Sequence, residues 1–184
     1  MKRVLQIIIS IALISALAIV IIDHFEVFDS TSPAEITEGH TNSEFDEDSA
    51  PNFKLNKLDD GSLELNELQG KGVVVNFWAS WCKPCRNEMP AIQKVYERYK
   101  EDGLVVIAIN VDESEDTITD FLEGFPEIDF PILLNDGQVM EDYMVMNLPT
   151  TYFINPDGSM ESHYLGELSE EQLHVLVNEI LPSD

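Results

Sequence analysis

Cysteine is scarce in this chain of 184 residues: Cys82 and Cys85 are the only two, separated by Lys83 and Pro84. That scarcity argues against a structural zinc site, because one C-x-x-C supplies two of the four ligands such a site usually takes. Positive charge is scarce as well. Ten Lys and Arg stand against 35 Asp and Glu, a formal net charge of -25. Such a surface repels phosphate backbones and anionic headgroups, which disfavours nucleic acid as a partner. The acidity fits a saline or alkaline exterior, or attraction of a basic protein partner. The four histidines, His24, His40, His163 and His174, form no ligand pattern. No phosphate-cradling Gly-rich loop, G-x-S-x-G elbow, dinucleotide fingerprint or internal repeat occurs.

What is present begins with Lys2 and Arg3, followed by 19 residues from Val4 to Ile22 in which only Gln6, Ser10 and Ser15 are polar. At about 1.5 Å per residue this run covers roughly 28 Å, nearly the hydrocarbon core of a bilayer. Ala16-Leu17-Ala18 resembles a cleavage site, yet apolar residues continue to Ile22, beyond what a signal peptide needs. Residues 1–22 are therefore expected to be an uncleaved transmembrane signal anchor. No cysteine lies near it, which excludes lipid attachment through a thiol. Basic residues only on the amino-terminal side put the N-terminus in the cytoplasm and the remainder outside, in a single-pass cell-membrane protein. Residues 23–50 hold nine acidic residues and no Lys or Arg, and are expected to form a disordered acidic tether. As a flexible coil it would reach roughly 30 Å.

Residues 51–184 read as one folded domain. Phe53 to Leu58 and Ser62 to Leu65, joined by Asp59-Asp60-Gly61, predict a hairpin. Gly72 to Trp78 and Leu104 to Val111 predict strands buried on both faces. Between them Met89, Ile92, Val95, Tyr96 and Tyr99 recur at helical spacing, which makes a right-handed parallel crossover. A helix is expected over Glu115 to Glu123, a strand over Asp129 to Leu134 and a short helix over Gly137 to Met144. Thr150 to Ile154 and Met160 to Leu165 predict a second hairpin around Asn155-Pro156-Asp157-Gly158. Ser169 and Gln172 form a capping box opening a last helix with Leu173, Leu176, Val177 and Ile180 on its apolar face. Asp112, Ser114, Asp116, Asp120 and Glu123 stand at calcium-loop spacing, but Thr117 replaces the glycine of the sharp turn, so a solvated acidic helix start is expected.

Cys82 falls where a strand ends and a helix begins, where unpaired N–H groups and the helix dipole favour a thiolate. Cys85, one turn on, is placed to resolve a mixed disulfide formed by Cys82. Pro84 suits an early helical position. A stabilising bridge is the competing reading, but a four-residue loop contributes only about 2 kcal/mol in the chain-entropy model, against about 4.7 for a 100-residue loop. Metal binding remains a further alternative. Redox dithiol chemistry, which needs no cofactor, is the leading expectation.

The run from Phe77 through Trp81-Cys82-Lys83-Pro84-Cys85 to Glu88-Met89-Pro90, with Leu148-Pro149-Thr150-Thr151 further on, resembles the thioredoxin superfamily. It is most similar to the membrane-anchored ResA/TlpA-like thiol-disulfide oxidoreductases. The resemblance implies an α/β, thioredoxin-like three-layer sandwich with an N-terminal β-hairpin and a central βα insert. It further implies that Pro149 is cis beside the dithiol, that Trp81, Leu148 and Pro149 bind substrate, and that the Leu148 backbone pairs with an extended peptide. Glu88 matches a glutamate of this branch linked to proton handling, three residues after Cys85 and on one helix face with it. Held near two thiols, that carboxyl would resist ionisation. Asn76 departs from the buried aspartate of cytosolic thioredoxins and cannot relay a proton, so the task falls to Glu88 or water, with a structural Asn76 bonded to neighbouring backbone as the alternative. Lys83 departs from thioredoxin's glycine.

The implied substrate is oxidised apocytochrome c, reduced before covalent haem attachment in cytochrome c maturation, with a CcdA-like membrane thiol carrier as electron donor. A reductant in spore-envelope formation, an oxidase, a thiol peroxidase and a non-catalytic peptide-binding module are the alternatives. Copper carriage of the Sco type is disfavoured by the cysteine spacing.

Overall fold

The computed structural model describes residues 49–182 except Asp136. The anchor expected over 1–22, and the tether over 23–50 apart from its last two residues, lie outside the described residues. Among the described residues no helix is long and apolar enough to cross a membrane.

The described chain runs β1 (Lys54–Asn56), β2 (Ser62–Glu64), β3 (Gly72–Trp78), α1 (Lys83–Tyr99), β4 (Leu104–Asn110), α2 (Glu115–Leu122), β5 (Ile132–Leu134), α3 (Gln138–Asp142), β6 (Thr150–Ile154), β7 (Met160–Leu165) and α4 (Glu170–Ile180). Five strands make one sheet in the order β5-β4-β3-β6-β7. β3, β4 and β5 are parallel, whereas β6 runs antiparallel to both β3 and β7.

Strand β3 is buried along its whole length, which its unbroken Val73-Val74-Val75 run anticipates for a central strand covered on both faces. Val73, Val75 and Phe77 join Phe53, Leu55, Ile107, Tyr143 and Tyr152 in one apolar cluster. Val74 and Trp78 join Met89, Ile92, Val95, Leu173 and Val177 in the other, under α1 and α4. By the two-residue period of a strand, Asn76 shares that second face with Val74 and Trp78. Gly72 opens the strand where a Cβ would stand 2.3 Å from the Ile180 carbonyl oxygen, so only glycine lets α4 close onto the sheet there.

Four predicted strands come out shorter, β2 and β4 by one residue and β1 and β5 by three, the latter two because a neighbour captures the backbone. β1 stops at Asn56, and beyond it Lys57 bridges to Leu133 while Leu58 N–H donates to Ile132 C=O at 2.9 Å. The first hairpin is thereby hooked to the edge of the main sheet. β5 begins only at Ile132: Asp129 is held by Gln93 of α1, and Pro131 has no N–H for the ladder. Ser114 caps α2, so the acidic run around Asp116 is a helix start. Ser169 and Gln172 form the predicted capping box of α4.

Candidate active site

Cys82 is the N-cap of α1, and its Sγ accepts from Cys85 N–H at 3.3 Å. The N-cap position fits the local sequence: Pro84 sits in the first turn, where its missing N–H leaves nothing unpaired. The two sulfurs form a disulfide, with the Cα atoms 5.3 Å apart. Cys85 is fully enclosed, and Cys82, for which the reactive role calls for exposure, is only 5 % exposed in this oxidised state. A thiolate at Cys82 would keep the same helix N–H groups as its donors. Trp81, immediately before it, is 71 % exposed.

Glu88 lies on the buried side of α1 with Cys85 and Met89, and is itself 1 % exposed. Its Oε1 accepts from Asn76 Nδ2 at 2.9 Å and its Oε2 from Leu168 N–H at 3.0 Å. Burial lifts its carboxyl pKa to about 7; the bonds from Leu168 and Asn76 pull the other way, and the nearby charge of Glu167 adds to the rise. The group therefore exchanges its proton near neutrality, where a general acid and base works best. Asn76 also donates to Thr151 Oγ1 at 2.9 Å. Its side chain thus bonds to two other side chains, not to neighbouring backbone, and a buried polar chain runs Thr151, Asn76, Glu88, Leu168.

The Leu148–Pro149 peptide bond is cis. Pro149 precedes β6, whose Thr150 pairs with Phe77 of β3, so the register brings Pro149 to the end of the sheet from which Cys82 emerges. Leu148 packs against the cluster that contains both cysteines. Among the described residues its backbone makes no hydrogen bond, while Pro149 C=O accepts from Gly166 N–H at 2.9 Å.

Sequence reasoning missed Glu113. It accepts from Ser80 N–H at 2.6 Å, from the Ser80 hydroxyl, and from Asn110 Nδ2 at 2.8 Å, holding the loop that leads into Trp81 and Cys82. Asp112 beside it adopts φ 57°. The missed signal was a carboxylate just past the end of β4, the parallel neighbour of the strand that carries the cysteines. Thr151 and Leu168 were missed as well, because each meets the acid or its amide partner across 75 or more residues of sequence. Among the described residues, no group of three or more His, Cys, Asp and Glu is arranged to hold a metal ion.

The AhpC/TSA family model matches residues 47–163. Thiol-disulfide oxidoreductase ResA of Bacillus cereus is 39% identical over 134 residues, 72% of this chain and 77% of that protein. Its counterpart from Bacillus subtilis is 38% identical over 136 residues, 73% of this chain and 75% of that protein. A crystal structure from Chlorobium tepidum, assigned as a thiol:disulfide interchange protein DsbE, superposes with a TM-score of 0.68 at 30% identity, covering 72% of this chain and 95% of that one. A disulfide at a helix N-terminus, a buried acid one turn on and a cis-proline loop are thus set in a fold shared with these proteins, and the chain belongs to the AhpC/TSA family as a ResA-like thiol-disulfide oxidoreductase of the thioredoxin superfamily.

Proposed function

We propose that this oxidoreductase is anchored in the cell membrane by residues 1–22 and works outside the cytoplasm as a reductant of oxidised apocytochrome c. The C-x-x-C-H cysteines of that substrate must be reduced before haem is attached. The substrate follows from the ResA-like resemblance. The observation that carries the chemistry is the buried Glu88, poised near neutral pH on the same helix face as Cys85.

In the proposed cycle the Cys82 thiolate attacks one sulfur of the substrate disulfide. A Cys82–substrate bond forms and the second substrate sulfur leaves as a thiolate, which takes a proton from water. Glu88 then removes the Cys85 proton, and the Cys85 thiolate attacks Cys82 Sγ. The remaining substrate sulfur leaves and is protonated from Glu88. The substrate gains two electrons and two protons, and the protein ends with the Cys82–Cys85 disulfide. A CcdA-like membrane thiol carrier returns the two electrons. Trp81, Leu148 and Pro149 form the substrate-facing rim, with the free Leu148 backbone pairing to an extended peptide.

Deleting the gene is expected to abolish c-type cytochromes, with rescue by added dithiol. Normal cytochrome levels in the deletion strain would overturn the maturation role, and a spore-envelope defect in its place would assign the reductant there.

A further inference from the structure

Exposed large apolar side chains are few among the described residues, and they are concentrated. Met144 is 81 % exposed, Met146 88 % and Leu165 61 %. All three line one pocket of about 510 Å³, with Tyr152 and His163 stacked at 5.4 Å as part of its wall. Local backbone geometry sets the methionines there. Val145 is buried and its N–H donates to Met140 C=O at 2.9 Å, so alternation turns the methionines on either side of it outward. Met144 adopts φ 51°, a conformation that a methionine rarely takes.

The pocket adjoins the cis-proline loop, on the face of the sheet opposite the cluster that holds the two cysteines. Asn147 lines it, and the next residue is Leu148 with its unpaired backbone. Leu165, on the edge strand β7, pairs in register with Thr150, the residue after Pro149. A peptide paired to Leu148 and running on past Asn147 would reach this pocket.

We propose that the pocket docks an extended, apolar and net-basic segment flanking the substrate's disulfide. This rests on the preceding reading, in which Cys82 attacks and Leu148 pairs with the substrate backbone. Charge selects the occupant. Residues 101–184 contain 20 Asp and Glu and no Lys or Arg, and Asp142 lines the pocket itself. Lysine or arginine beside an apolar anchor is attracted there and an acidic segment is repelled. A second copy of the chain, at a net charge of -25, is repelled for the same reason. Thioethers suit this task, being flexible and polarisable enough to fit aliphatic or aromatic side chains without demanding one shape.

The test uses the reduced full-length chain and three peptides of equal length, each with one internal disulfide, flanked by Leu and Lys, by Ser and Lys, or by Leu and Glu. The wild-type chain is expected to favour the Leu/Lys peptide over the Ser/Lys peptide by about tenfold in kcat/KM, through KM, the factor expected from burying part of one apolar side chain, and over the Leu/Glu peptide through charge, by a factor that shrinks as salt is raised. The double variant Met144→Ser, Met146→Ser should lose the preference for Leu over Ser and keep the preference for Lys over Glu. Val175→Ser, at an exposed apolar site outside the pocket, should keep both. Equal reduction of the three peptides by the wild-type chain would overturn the docking proposal alone. So would a double variant that retains the Leu preference, or a dimer in sedimentation that the double variant dissociates. A wild-type chain that reduces none of the peptides would overturn the preceding reading too.

Discussion

Asn76 uses both protons of one amide nitrogen, one toward Glu88 Oε1 and one toward Thr151 Oγ1, each at 2.9 Å, while its own Oδ1 has no partner among the described residues. The bond to Glu88 favours the ionised carboxylate and restrains the rise that burial imposes. Asn76→Ala is therefore expected to move the Glu88 titration above its value of about 7. The pH–rate profile of peptide disulfide reduction would show an inflection displaced to higher pH, and Glu88→Gln would remove it. An Asn76→Ala profile that overlays the wild type would disprove the coupling.

The same carboxyl links folding to pH. Its folded pKa of about 7 lies above the unfolded value of 4.5, so between these limits the native state binds more protons than the unfolded state. The stability from that excess is fully present below about pH 4.5 and is lost as pH rises through about 7, and amounts to roughly 3 kcal/mol. Relative to Glu88→Gln, which cannot ionise, the wild-type chain should lose most of that between about pH 5 and about pH 8. Urea unfolding of both proteins at the two pH values measures it. A constant difference would show that Glu88 titrates alike in both states.

Cys82 and Cys85 should separate cleanly by chemistry. Cys85→Ser retains an attacker and lacks a resolver, so it should accumulate a mixed disulfide with a peptide substrate, visible as an adduct by intact mass spectrometry. Cys82→Ser should accumulate none, because Cys85 is fully enclosed behind it. Adducts of equal yield from both variants would contradict the assignment of Cys82 as attacker.

Glu113 anchors the loop before Cys82 through Ser80 N–H and Asn110 Nδ2. Glu113→Ala leaves those donors without an acceptor and should destabilise the domain by about 1–3 kcal/mol. Glu113→Gln, which keeps one acceptor oxygen, should lose less. Denaturant midpoints at fixed m-value decide it. A Glu113→Ala midpoint equal to the wild type would mean that water replaces the carboxylate at no cost.

Local chemistry made much of this fold readable in advance. The Val73-Val74-Val75 run, the Asn155-Pro156-Asp157-Gly158 turn and the Ser169–Gln172 box act over a few residues, and the structure forms each of them where the residues suggest. The two cysteines are equally local. Partners chosen in three dimensions were not legible. Asn76 and Glu88 lie 12 residues apart on different elements, and no periodicity relates a strand position to a helix position. The shortened β5 reflects Gln93 reaching Asp129 across 36 residues. Cys82 is nearly buried in the cluster that also holds Trp78, Ala79 and Leu168, residues from separate parts of the chain whose meeting sequence spacing does not encode.

The connector between β7 and α4 does two jobs within a few residues. Gly166 holds the Pro149 carbonyl, and Leu168 holds the Glu88 carboxyl. The cis-proline loop and the buried acid are thus hung from one short bracket. A displacement of that bracket would alter both contacts together, which makes the four residues from Gly166 to Ser169 a shared support for the cis-proline turn and the buried carboxyl.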